Sequence, residues 1–223
     1  MANLAKPAFV PQTVQVDYEA LGAPLALDGE ENSLAGVEVL EMGLAWDKST
    51  AGAGGVVGWL NRKVGSDLDG IAIFYTNGEP KKYLGWDELD AFSDAPGAAV
   101  HSGDNQTGEG EGDDETVRLR LSDIPRRYNK VVLTATAFKP GSSMKRAKNI
   151  TVTLYDCTGN SKDAVAFIEP SLLNVRNTIG VAVLTRQPAT ADVAEHWTLR
   201  VSDSKVDVKQ GDRDNFLRHV ANF

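Results

Sequence analysis

Six carboxylates and three glycines fall within the twelve residues Asp104-Asn105-Gln106-Thr107-Gly108-Glu109-Gly110-Glu111-Gly112-Asp113-Asp114-Glu115, a run without one Lys or Arg. Nothing inside it neutralises the charge. Two carboxylates held about 4 Å apart repel by roughly 4 kcal/mol at an effective dielectric of 20, so ordering this loop calls for a bound cation or leaves it splayed in water. Oxygen-only donors point to Ca²⁺ ahead of Zn²⁺, because calcium takes about 6 to 8 oxygens whereas zinc prefers His and Cys. The interleaved glycines let the chain curl around an ion with carbonyls inward. EF-hand spacing does not apply: Asp104 and Glu115 suit its first and twelfth positions, but Gln106 and Gly108 replace the expected Asp or Asn, and Glu109 stands where Gly is required. The plain alternative is a solvated acidic loop between strands.

The elements that must position this run read as strands. Thr116 to Leu121 alternates Val117, Leu119 and Leu121 with Thr116, Arg118 and Arg120, and Asn149 to Tyr155 alternates in the same way. Trp197, Leu199 and Val201 repeat the pattern, while Ile71 to Tyr75, Val131 to Phe138 and Ile179 to Leu184 are continuous apolar runs suited to the middle of a sheet. Ser122-Asp123-Ile124-Pro125 marks a turn. Many short strands with turns between them predict an all-β fold, a two-sheet antiparallel β-sandwich. Asp212 or Asp214 is placed to cap a short C-terminal helix whose Phe216, Leu217, Val220 and Phe223 share one face and pack on the sandwich. Residues 1–36 read as an N-terminal extension, an added edge strand or an arm reaching a neighbour, and residues 37–223 as the sandwich domain with its helix.

On this scaffold the acidic run leads into the Thr116 strand, and Asp67-Leu68-Asp69 leads into the Ile71 strand. Period two sends Asp67 and Asp69 to one side and Leu68 to the other. The metal-ligand candidates are therefore Asp67, Asp69, Asp104, Asn105, Glu109, Asp113, Asp114 and Glu115, enough for one or two Ca²⁺ ions, with Glu111 and Asp47 behind them. His101 borders the loop, as a ligand-orienting group or as a strand-end histidine bonded to backbone.

The stretch His101-Ser102-Gly103-Asp104 through Glu115 closely resembles the TerD family, named for tellurium-resistance proteins. Gly43-Leu44-Ala45-Trp46-Asp47 and Asp67-Leu68-Asp69 resemble two further motifs of that family in the same order. The resemblance runs from about residue 37 to 202. It implies a β-sandwich with calcium-binding loops at one end, in proteins associated with tellurite resistance, stress response and resistance to phages and colicins; it supplies no reaction. Residues 48–66 are longer and richer in Gly than the family's short linker, and Gly70-Ile71 stands where the family continues Ala-Ser.

Composition narrows the remaining classes. Of the net charge of −8, six negative charges lie in one loop, and an acidic chain is a poor partner for nucleic acid, whose binding rests on Lys and Arg displacing counterions. The cluster Lys145-Arg146-Ala147-Lys148 reads as a solvated turn. The single cysteine, Cys157, fits a reducing compartment and reads as a small core filler. The start of the chain lacks the apolar core of a signal peptide and no apolar run reaches about 18 residues, so a cytoplasmic protein without a transmembrane segment is expected, with peripheral membrane association left open. Gly52-Ala53-Gly54-Gly55-Val56-Val57-Gly58 puts Val57 at the third glycine of a dinucleotide fingerprint, outside a βαβ pattern. The expectation is a non-catalytic, calcium-binding module with protein partners or self-assembly. A structural component of a phage particle or filament, and a metal-dependent phosphoester hydrolase using Asp67, Asp69 and Asp113, are the alternatives.

Overall fold

The computed structural model describes residues 12–13, 31–47, 67–105, 112–172, 174 and 176–223. Within them the strands are, in chain order, β1 (Gln12–Thr13), β2 (Asn32–Ser33), β3 (Val39–Asp47), β4 (Asp69–Thr76), β5 (Glu79–Leu84), β6 (Ala99–His101), β7 (Glu115–Arg120), β8 (Lys130–Thr136), β9 (Lys148–Asp156), β10 (Asp163–Ile168), β11 (Thr178–Gln187) and β12 (His196–Val206). They form two sheets, ordered β1-β10-β9-β3-β7-β6 and β2-β12-β11-β8-β4-β5. Pairing is antiparallel except where the short β1 runs parallel to β10. The expected two-sheet sandwich is therefore what the chain adopts.

Alternation explains the first sheet. Leu40, Met42 and Leu44 of β3, Val117 and Leu119 of β7, and Val152 and Leu154 of β9 face the second sheet and form the shared core with Phe74, Leu133 and Leu184. Their neighbours Arg118, Thr153 and Tyr155 turn outward.

The continuous apolar runs have a different cause, because the second sheet is covered on both faces. Ala72 and Phe74 of β4 point to the inter-sheet core, whereas Ile71, Ile73 and Tyr75 point to a second core with Val132, Phe138, Val208, Phe216 and Val220. The C-terminal segment supplies that cover. It holds a 3-10 turn, Arg213–Asn215, followed by a one-turn helix α1, Phe216–His219. Phe216 meets Tyr83 and Phe138 edge to face, and the Tyr75 hydroxyl donates to the Val220 carbonyl at 2.7 Å. The capping expectation fails: neither Asp212 nor Asp214 caps through its side chain, and Asp212 instead accepts from the Asn215 amide at 2.9 Å. A helix this short is held by the apolar contacts of its face rather than by satisfied amides.

β4 and β5 turn on Asn77 and Gly78, both with positive φ, the Asn-Gly signature of a tight hairpin. Strands β5, β6 and β10 were not legible as strands: Glu79–Leu84 carries three charged residues and Ala99–His101 is three residues long. The register of β3 with β7 puts Leu44 opposite Glu115, and that of β4 with β8 puts Asp69 opposite Thr136. The acidic ends of β4 and β7, on different sheets, therefore lie at the same end of the sandwich. Among the described residues no helix is long and apolar enough to cross a membrane.

Candidate metal centre

Carboxylate oxygens of Asp69, Asp104 and Glu115 lie within 4.8 Å of one another. Asp69 opens β4, Glu115 opens β7, and Asp104 follows β6, so the group joins the two sheets. Asp69 and Glu115 are buried and Asp104 is exposed, which leaves one open side.

Glu115 is held from several directions. One oxygen accepts the Gly70 amide at 2.9 Å and the other the Asn105 amide at 3.1 Å. The buried His101 completes the cradle. Its Nδ1 accepts from the Gly103 amide at 3.0 Å, so the proton sits on Nε2, which faces the Gly70 carbonyl at 3.0 Å and Glu115 at 3.3 Å. Both readings of His101 hold: it bonds to backbone and it orients a carboxylate of the group.

Asp69 has less support. Its only described hydrogen bond is from the Phe138 amide, a long one at 3.4 Å. Burial, followed by the charges of Glu115 and Asp67, pushes its carboxyl up to about 8. Burial also raises Asp67, against the opposing pull of Lys139, whose ammonium lies 3.2 Å from Asp67 Oδ2. Oδ1 of Asp67 is buried without a hydrogen-bond partner among the described residues. Asp67, Asp69 and Asp104 line a cleft of about 260 Å³ together with Trp86, Phe138, Lys139 and Pro140.

The other predicted ligands are distributed differently. Asp114 accepts from the Trp46 amide and from the Asn105 side chain, both at 3.0 Å, so this pair braces the loop beneath Glu115. Asp113 lies on the outer face of the first sheet, against Tyr155 at 3.4 Å and Lys162 at 3.3 Å. Gly43 makes this possible, since a Cβ there would stand 2.2 Å from the Asp113 carboxyl carbon. Asp47 accepts from Asn149 at 2.6 Å. Glu109, Glu111 and the glycine run 52–58 lie outside the described residues. The grouping of Asp67, Asp69 and Asp113 suggested for a hydrolase is not found, because Asp113 is committed to Lys162 on the outer face. Nothing in the sequence singled out Lys139 or Trp86, and Phe138 stood out only as the end of the apolar run from Val131.

The family model described as the TerD domain matches residues 22–191. The chain belongs to the TerD family. Among the relatives of this TerD-family chain, the tellurium resistance protein TerZ of Serratia marcescens is 35% identical over 123 residues, covering 54% of this chain and 60% of that protein. The stress response protein SCP2 of Bacillus subtilis is 28% identical over 137 residues, 58% of this chain and 57% of that protein. The chain thus spans about 60% or less of the length of each of these two relatives. Among solved structures, a homologue of the telluride resistance protein TerD, from Streptomyces coelicolor A3(2), superposes with a TM-score of 0.58 at 19% identity, over 78% of this chain and 93% of that one; it supports the fold alone. The chain is therefore of the TerD type found in tellurium-resistance and stress-response proteins.

Two other features bear on chemistry. Cys157 is buried, and burial, with the Glu41 charge behind it, raises its thiol, which keeps it protonated and unreactive. A larger cleft of about 550 Å³ opens at the far end of the sandwich, where Arg186 lies over Trp197. There the Arg186 guanidinium already gives hydrogen bonds to Tyr128, Ile124 and Glu195.

Proposed function

We propose that this TerD-family chain is a calcium-binding, non-catalytic module whose ion is held by Asp69, Asp104 and Glu115. The observation that carries the reading is the trio itself. Two of its carboxylates are buried and all three approach within 4.8 Å, with the Lys139 ammonium 3.2 Å from the neighbouring Asp67. That span matches about twice a Ca–O bond length of 2.3–2.6 Å, and the donors are oxygens only. The His101 and Asn105 contacts fix Glu115 before any ion arrives, which lowers the ordering cost of binding. A bound Ca²⁺ would supply positive charge that relieves the repulsion among the carboxylates and ties one sheet to the other. The proposal includes a binding or assembly role with protein partners in the cytoplasm; that the site does not turn over substrate is supported by the engagement of both nitrogens of His101, the histidine against the trio.

The test is calorimetric titration of chelator-stripped protein with Ca²⁺ and with Mg²⁺, beside an Asp69→Asn, Asp104→Asn double variant. Binding of Ca²⁺ in preference to Mg²⁺ that is lost in the variant supports the reading. No heat and no shift in melting temperature with either ion refutes it.

A further inference from the structure

Lys139 belongs to a loop with two attachments. On one side its ammonium lies 3.2 Å from Asp67, and the amide of the preceding Phe138 points to Asp69 at 3.4 Å. On the other side the loop is tied to the C-terminal segment. Gln210 Nε2 donates to the Ala137 and Ser142 carbonyls at 2.7 and 3.0 Å, and the Gly211 amide donates to the Phe138 carbonyl at 3.1 Å. Residues 137–142 thus touch the acidic group and the outer cover of the second sheet at once.

The charges make this a competition. Asp67 lines the same cleft as Asp69 and Asp104, yet spends one oxygen on Lys139 and leaves the other, buried, without a donor among the described residues. An ammonium at this place partly neutralises the group when no ion is bound and repels a divalent ion that enters it. The Lys139 side chain is 48% exposed, so water can take its charge once it leaves Asp67.

We propose that Lys139 is a tethered counter-cation. It competes with a divalent cation for the acidic group, and its departure from Asp67 relays occupancy through residues 137–142 to the C-terminal segment. This rests on the calcium reading above and adds to it a built-in threshold and an output.

The experiment compares wild type, Lys139→Met and Lys139→Arg by calcium calorimetry and by amide hydrogen exchange with and without Ca²⁺. Methionine keeps the length without the charge, and arginine keeps the charge. Lys139→Met is expected to bind Ca²⁺ about tenfold more tightly, the scale of removing one like charge near a divalent ion in a wet site, while Lys139→Arg stays within about twofold of wild type. Exchange at Gly141, Ser142 and Gly211 is expected to change with Ca²⁺ in wild type and not in Lys139→Met. Equal affinities for wild type and Lys139→Met overturn the competition, and unchanged exchange in wild type overturns the relay. Absence of calcium heat in all three proteins is a different result, which refutes the calcium reading and takes this inference with it.

Discussion

Replacing Asp69 by Asn should stabilise the metal-free protein at alkaline pH while weakening its grip on calcium. In wild type, burial and the neighbouring charges of Glu115 and Asp67 lift the Asp69 carboxyl from 3.8 to about 8. The folded chain therefore binds this proton more tightly than the unfolded chain. The stability associated with it is fully present below pH 4 and is lost as pH rises through 8. Lifting the carboxyl from 3.8 to about 8 amounts to about 6 kcal/mol, a large part of the total stability of a domain. Asparagine keeps the shape and still accepts the Phe138 amide, but it never ionises. The stability of Asp69→Asn relative to metal-free wild type should thus grow in the variant's favour by about 6 kcal/mol between pH 4 and pH 9, or roughly 12–24 °C in melting temperature for a chain of this size. Saturating Ca²⁺ should close most of the gap near neutral pH, since a ligand at about 1,000 times its Kd adds about 4 kcal/mol to the protein that binds it. Thermal melts by circular dichroism at four pH values, on desalted chelator-treated protein and again with Ca²⁺, read both effects. A gap between variant and wild type that does not change with pH, or a metal-free variant less stable than wild type at pH 9, would refute the reasoning.

Gly43→Ala places a Cβ 2.2 Å from the Asp113 carboxyl carbon and should cost about 1–3 kcal/mol as Asp113 is driven from Lys162 and Tyr155. Urea unfolding measures that loss, and calcium titration of the same variant should show unchanged affinity; a fall in affinity would make Asp113 a ligand. Phe216→Ala removes a ring that is 1% exposed and meets Tyr83 and Phe138, with an expected loss of about 3–5 kcal/mol in denaturant unfolding. Because Ile71, Ile73 and Val132 would then lose part of their cover, binding of a hydrophobic dye by the folded variant checks the cause.

The acidic grouping at the open end was legible in part because charge density is local. A run holding Asp104 and Glu115 with no basic residue announces unsatisfied repulsion in one dimension, and period two in β7 and β9 announces half-buried strands. The continuous run Ile71 to Tyr75 was legible as a central strand, but not what lies on its second face. That cover comes from Phe216 and Val220, more than 140 residues away, through contacts no local pattern encodes. The same limit applies within the site. Asp113 and Glu115 are two residues apart and equally acidic, yet Gly43 and Lys162 hold the first on the outer face while Gly70, Asn105 and His101 hold the second inside. β7 begins only at Glu115, which stands opposite the inward-facing Leu44, whereas Asp113 precedes the strand and lies outside its alternation. Lys139 carries no local signal for a related reason, since an isolated lysine gains meaning only from the buried Asp67 carboxylate beside it.

The acidic trio takes its members from both sheets: Asp69 from one, Asp104 and Glu115 from the other. Asp104 and Glu115 meet when their own sheet forms, whereas Asp69 joins them only where the two sheets close on each other, so its share of the repulsion belongs to that closure. That share is set against the apolar burial between the sheets. An ion bound as proposed would span the closed pair, a latch across the sandwich rather than a part of either sheet alone.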